Sequence, residues 1–194
     1  MYEQSKAARR RAQDWHYPNL YFVGDGIDIG AGPDGLSKLR EFYPKITSVR
    51  DWDLPDGDAQ DLPGVEPATF DFVSASHVLE HLDSPIRALA RWMAVLKPGG
   101  YMVITVPEWS MYERCHWPSR HGVGHRWAFT MVGPDHYRHI LNVHGQLAML
   151  GNSCPFMLER LLVLREHFNP DAHPATDQSL GPAECAIEFV LRKL

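Results

Sequence analysis

Residues 26–35 read Gly26-Ile27-Asp28-Ile29-Gly30-Ala31-Gly32-Pro33-Asp34-Gly35. The first four form a short buried strand. The glycines that follow, spaced Gly30-x-Gly32-x-x-Gly35, make a turn in which the backbone can approach a ligand closely. That spacing matches the dinucleotide fingerprint, but its neighbours oppose a pyrophosphate. An anion wants exposed N–H groups and a positive helix end. Here Asp28 stands two residues before the first glycine, Asp34 opens the next segment, and Pro33 removes a donor. The turn reads as a cradle for a ligand carrying positive charge. The competing readings are a nicotinamide or flavin dinucleotide site, and a turn with no ligand.

Outward from this stretch, strands alternate with helices. A helix over roughly 3–14 precedes it and ends at Tyr17-Pro18-Asn19. After the glycines, Leu36, Leu39 and Phe42 predict a helix closed by Pro44. Ile46–Val49 is a strand. Residues 50–69 hold Pro55, Gly57, Pro63, Gly64 and Pro67, and form a long loop. Phe70–Ser74 is a strand. Ser84 caps a helix with Pro85 at its first position and Ile86, Leu89, Ala90, Met93 and Leu96 as its apolar stripe. Lys97-Pro98-Gly99-Gly100 stops it, and Tyr101–Val106 is a strongly apolar strand. Residues 107–132 are irregular, a helix is expected over 134–144, and Met157–Arg165 and Ala186–Leu191 are the last strands. No helix separates that final pair, so an antiparallel edge hairpin is expected. The order predicts an α/β, doubly wound domain with a mostly parallel sheet.

The chain has 194 residues, 44% of them hydrophobic, which suits one domain with a full core. Its formal charge of −5 argues against a nucleic-acid backbone as the main partner. The basic run Lys6 to Arg11 reads as a solvated helix face. Cys115, Cys154 and Cys185 are scattered and odd in number, so they make no disulfide framework. No apolar signal core and no membrane-length apolar run is present. A reduced, cytoplasmic protein without membrane insertion is expected.

An acid at the end of the second strand, some twenty residues past the glycines, can accept both hydroxyls of a ribose. Asp53 is favoured, with Asp51 second. Asp58-Ala59-Gln60-Asp61 can then cup an adenine. Together with the glycine turn, Gly57-Asp-Ala-Gln-Asp-Leu62, Phe70-Asp-Phe-Val-Ser-Ala-Ser-His-Val-Leu-Glu-His-Leu82 and Leu96-Lys-Pro-Gly-Gly100 occur in an order that resembles class I S-adenosylmethionine-dependent methyltransferases of the small-molecule branch. The resemblance covers residues 26–106. It implies a single Rossmann-like domain (lead-in 1–25, cofactor core 26–106, acceptor-side loop 107–132, C-terminal part 133–194). It also implies S-adenosylmethionine as cofactor, whose ammonium and sulfonium suit Asp28. Asp28, Gly30, Ala31, Gly32, Asp53, Asp58 and Ala59 would line the site, with Ser76 and His77 near the sulfonium. In one respect the chain departs from that family: Val49 to Asp58 is too short for the usual helix after the second strand. The sheet edge should be trimmed there, a feature that would suit a homodimer contact.

The acceptor side falls to residues 107–132, because ligands in this architecture sit at the carboxyl ends of parallel strands. Trp117 and Trp127 can stack on a sugar or aromatic face, Arg120 can hold an anionic group, and Glu108 lies beside them. A hydroxyl acceptor needs a base, for which His125 is first choice and His77 second. Trp117–Arg120, His125–Thr130 and Asp177–Lys193 resemble, more loosely, bacterial methyltransferases associated with surface-polysaccharide assembly, which implies a sugar-linked small-molecule acceptor. Ser74-Ala-Ser-His77 stands where base methyltransferases carry an Asn/Asp-Pro-Pro-aromatic turn, so nucleic-acid bases are disfavoured. His77-x-x-Glu80-His81 has the spacing of an inverted zinc-protease motif but follows a strand directly. The set Cys115, His116, His121, His125 fits no familiar ligand framework. No metal is expected at either. A non-catalytic cofactor-binding scaffold and a nicotinamide oxidoreductase are the alternatives.

Overall fold

The structure is a computed structural model and describes residues 3–133 and 138–194. Helix α1 (Glu3–Arg11) is followed by β1 (Gly24–Ile29), β2 (Ile46–Trp52), β3 (Phe70–Ser76), α2 (Pro85–Val95) and β4 (Leu96–Pro107). Then come β5 (Ala128–Thr130), β6 (Ile140–Asn142), α3 (Val143–Gly151), β7 (Phe156–Leu164) and β8 (Ala186–Lys193). Six strands form one sheet in the order β2-β1-β3-β4-β8-β7. The first four run parallel, and β8 and β7 close the far edge antiparallel. Strands β5 and β6 make a separate parallel pair.

The sheet is covered on both faces, which is why its central strands read as continuous apolar runs. Successive side chains alternate between two cores. Ile27, Ile29, Val73, Met102 and Ile104 meet Leu89, Trp92 and Met93 of α2 and Leu147 and Leu150 of α3. Phe72, Val103 and Val190 point the other way, onto Tyr17, Phe22, Leu36 and Tyr43.

On that second face lies a buried polar seam, one residue per strand: Asp28, Ser74, Thr105 and Glu188. Helix α1 lies over it. Gln4 donates to Asp28 at 3.0 Å, and Arg11 donates to Thr105 at 3.0 Å and to Glu188 at 2.9 Å. The basic run is therefore no solvated face. Lys6 and Arg11 are buried, and Arg10 spans Glu184 and Glu188. Sequence alone gives no sign that Glu184 and Glu188, over 170 positions away, supply the counter-charges.

Two helices differ from expectation. Residues 32–42 form three separate single turns, Gly32–Asp34, Leu36–Lys38 and Arg40–Phe42. The reason is local: Gly35 is extended (ψ 157°), and the Leu36 N–H donates to Asp28 rather than to a helical carbonyl. The expected helix at 134–144 lies partly outside the described residues. Residues 140–142 are strand β6, and Asn142 caps the later α3 by accepting from His144 N–H at 2.9 Å. The trimmed edge is present: among the described residues, only short turns connect Trp52 to Phe70, and β2 is the edge strand. No helix among the described residues is long and apolar enough to cross a membrane.

Candidate active site

A cavity of about 660 Å³ opens at the carboxyl ends of β1, β2 and β3. Its floor is the glycine turn. Gly30 has φ +71°, and the amides of Gly30 and Ala31 both donate to the Trp52 carbonyl, which ties the turn across the tip of β2. The Gly32 N–H donates to the Asp53 carboxylate at 3.1 Å. Asp53 also caps the turn Leu54–Asp56, taking the Leu54 N–H at 2.8 Å while Asp56 takes its own. The opposite wall is Asp58 and Ala59. It is held by the Trp92 indole, which donates to the Ala59 carbonyl at 2.8 Å.

Several sequence candidates meet here and others do not. Gly30, Gly32, Asp53, Asp58, Ala59 and His77 line the cavity. Asp28 does not. It is fully buried beneath the turn, with one oxygen on Gln4 and the other on the Leu36 N–H. Burial pushes its carboxyl up to about 7. Asp51 turns away to take the Ser37 hydroxyl. Gln60 is buried and accepts the Ser84 N–H at the start of α2. Ala31 and Ser76 lie just behind the wall, both outside the cavity lining. Sequence reasoning did not single out Trp52, Leu54 or Val78 as lining residues. Leu54 carries the clearest missed signal: it is an apolar residue in a Pro/Gly-rich loop with no periodic partner, and it stands 90% exposed near the rim.

Behind the shared wall of His77 and His81 lies a smaller cavity of about 270 Å³, reached also by Glu80, Tyr112, His121 and His125. His77 (φ +58°) holds its Nδ1 3.3 Å from Glu80 and its Nε2 3.7 Å from Glu3 of α1. Burial alone would lower the imidazole. The Glu80 carboxylate, helped by Glu3, outweighs it and raises the pKa. His125 is nearly enclosed, with Nδ1 2.8 Å from Glu113 and its ring stacked on Tyr112 at 5.5 Å.

A third cavity, of about 570 Å³, lies against Trp109, Cys115, His116, Trp117 and His139. There Trp117 stacks on His139 at 5.3 Å; Arg120 is not part of the lining and lies 3.3 Å from His116. Glu108 lines none of the three. It folds its own turn, accepting from Ser110 and Met111. Trp127 is an anchor whose indole donates to the Leu82 carbonyl at 2.7 Å. Cys115 and His116 face one cavity, His121 and His125 another, so that foursome does not converge.

The chemistry of the main cavity selects its ligand. Among the described residues two carboxylates line it, and no lysine or arginine does. A pyrophosphate would find no counter-charge, whereas a sulfonium nucleoside would. Gly30 leaves room for close approach, since a Cβ there would fall 2.3 Å from Val78. The fold and this cavity define a Rossmann-like domain for a phosphate-free, cationic nucleoside cofactor.

Residues 17–146, about two thirds of the chain, match the family model described as a methyltransferase domain, and the chain belongs to that family. S-adenosylmethionine is its methyl donor. No curated protein sequence matches the chain. Solved structures share the fold. A candidate methyltransferase of Bacillus halodurans C-125 is 16% identical with a TM-score of 0.57, covering 95% of this chain and 96% of that one. The 1,6-didemethyltoxoflavin-N1-methyltransferase of Burkholderia thailandensis, solved with S-adenosylhomocysteine, is 19% identical with a TM-score of 0.55, covering 98% and 80%. The N-methyltransferase NodS of Bradyrhizobium japonicum WM9, also bound to S-adenosylhomocysteine, is 12% identical with a TM-score of 0.55, covering 95% and 86%.

Proposed function

We propose that this protein methylates a hydroxyl of a small polar acceptor, a sugar or sugar-linked precursor of a polysaccharide, with His77 as the base. One observation carries the reading: His77 belongs to the walls of both the cofactor cavity and the histidine-lined cavity behind it. A group in that position can take a proton from an acceptor next to the donor. His125, enclosed and engaged by Glu113, reaches only the inner cavity and is the weaker base candidate. The sugar is supported by the loose motif resemblance of Trp117–Arg120, and by Trp117 in the wall of the third cavity.

When bound, S-adenosylmethionine supplies an already activated methyl group, so alignment of the acceptor does much of the work. Gly30 and Gly32 admit the cofactor to the backbone. In this reading Asp53 accepts the ribose hydroxyls, and Asp58 with Ala59 faces the adenine; their shared place in the cavity lining supports it. Asp28 positions rather than binds, because it fixes Leu36 and so the exit of the glycine turn. His77 Nε2 receives the acceptor proton.

Calorimetric titration tests the cofactor half. Wild-type protein is expected to bind S-adenosylmethionine and S-adenosylhomocysteine and not NAD, and Asp53→Ala to weaken both at least tenfold. Binding of NAD instead overturns the assignment. A transfer assay over sugars and nucleotide sugars, with amines as contrast, tests the acceptor half. His77→Asn should cut kcat by about 100-fold, well beyond any change in donor affinity measured by the same calorimetry. Turnover confined to amines, or unaffected by His77→Asn, removes the hydroxyl and base reading.

A further inference from the structure

The turn after β3 brings Glu80 and His81 together, and a second segment brings His125 to them. The amides of Arg126 and Trp127 both donate to the Glu80 carbonyl, at 2.7 and 3.2 Å, and the Trp127 indole donates to Leu82. These bonds pin residue 125 against the turn. One ligating atom from each of Glu80, His81 and His125 then lies within 4.8 Å of the other two. The His81 and His125 rings meet edge to face at 4.8 Å.

Glu80 shows that this cluster is incomplete as protein alone. It is fully buried, and among the described residues neither carboxylate oxygen finds a hydrogen-bond donor. Among the described residues, no lysine or arginine reaches it. Lys6 is taken by Glu3 and two carbonyls, and Arg126 by Asp83. The His77 Nδ1 at 3.3 Å is the sole ion-pair contact, and it lacks hydrogen-bond geometry. Buried carboxylates are normally paired or coordinate a metal. The second sign is His125, whose Nδ1 is 2.8 Å from the fully buried Glu113. A carboxylate behind an imidazole fixes the tautomer and leaves Nε2 a bare lone pair, as is usual for metal-bound histidines.

We propose that Glu80, His81 and His125 bind a divalent first-row transition-metal cation, of which zinc is the type. Two imidazoles and one carboxylate suit such ions and leave coordination positions open. Magnesium and calcium, which prefer all-oxygen shells, are excluded by the same chemistry. Bonds of about 2.0–2.2 Å require the three ligating atoms to draw closer together than the 4.8 Å within which they now lie. Glu80, His81 and His125 all line the smaller cavity, where among the described residues the His121 Nε2 is also buried and unpaired. An acceptor hydroxyl held there would be acidified. That role rests on the hydroxyl reading above; the binding itself does not.

The test uses full-length protein stripped with a chelator and titrated separately with Zn²⁺, Mn²⁺, Co²⁺ and Mg²⁺. One Zn²⁺ per chain is expected, with a Co²⁺ visible absorption band and no Mg²⁺ binding. His81→Ala and His125→Ala should each weaken Zn²⁺ by 30-fold or more. Glu80→Gln separates a ligand from a packing group. It should lose the Zn²⁺-induced rise in Tm, yet melt no lower than wild type when both are metal-free. No stoichiometric Zn²⁺, or Zn²⁺ affinity unchanged in His81→Ala, overturns the proposal. Donor binding measured on the same samples keeps the two readings apart. Zn²⁺ bound without S-adenosylmethionine bound would sink the cofactor assignment and leave the metal site standing, and the converse would do the opposite.

Discussion

Gly30→Ala should leave a folded protein that no longer binds S-adenosylmethionine usefully, with Kd raised roughly 30- to 150-fold, the equivalent of about 2–3 kcal/mol. Two effects add. At φ +71° a Cβ meets the following carbonyl, a cost of about 1–2 kcal/mol. That Cβ also falls 2.3 Å from the Val78 Cγ2. Val78 is β-branched and stiff, and it lines the same cavity, so any escape by rotation moves bulk into the cofactor's space. Gly32→Ala is the matched control. Its φ is +55°, and its Cβ meets nothing within 4 Å, so only strain applies and affinity should fall severalfold. Calorimetry on both variants, with circular dichroism to confirm folding, decides. Equal losses would mean that backbone strain alone, and not the Val78 contact, governs the site.

What the sequence showed and what it hid divide along a physical line. The parallel strands were legible because burial on both faces leaves uninterrupted apolar runs, and α2 because Pro85 and its stripe are local signals; Ser84 holds the N-cap position without the expected side-chain hydrogen bond. Gly30 and Asp53 were legible because a turn and a strand tip fix backbone positions within about twenty residues. Contacts made at long range were hidden. Asp28 looked like a ligand contact because its place at the tip of β1 is local, but Gln4 and Leu36 cover it from outside the strand. The residues 32–42 carry helical spacing and still break, since an N–H given to Asp28 outweighs periodicity. His77-x-x-Glu80-His81 looked unsuited to a metal because it follows a strand directly, where that spacing needs a helix to display both histidines. His125, which the fold brings beside Glu80 and His81, comes from 44 positions beyond His81. The local pattern held two members of the cluster and gave no sign of the third.

Glu188→Gln should be the most destabilising single change, costing about 3–5 kcal/mol, the usual effect of breaking a buried ion pair on one side. Glu188 is fully buried and takes hydrogen bonds from Arg10, Arg11, Thr105 and the Tyr17 hydroxyl. Removing its charge strands Arg11, which is 1% exposed. At about 2–4 °C per kcal/mol for a chain of this size, Tm should drop by roughly 6–20 °C. The double variant Arg11→Met, Glu188→Leu should recover much of that, since an apolar pair does not need counter-charge. Failure to recover would show that the seam needs its charge. The pH profile adds a signed test. Burial raises the Glu188 carboxyl, but Arg11 and Arg10 outweigh it and hold the value near 2, against 4.5 unperturbed. Its stabilisation is therefore complete above 4.5 and fades as pH falls toward 2. Asp28, raised to about 7 by burial, acts oppositely: folded protein binds its proton more tightly, so stability declines as pH rises from about 4 to 7. Glu188→Gln should flatten the acid limb of the Tm profile, and Asp28→Asn the neutral limb. The same latch reaches the active site. With α1 released, Gln4 leaves Asp28 and Glu3 leaves His77, so Glu188→Gln should also weaken S-adenosylmethionine at temperatures well below its Tm. Unchanged affinity in that variant would confine α1 to stability.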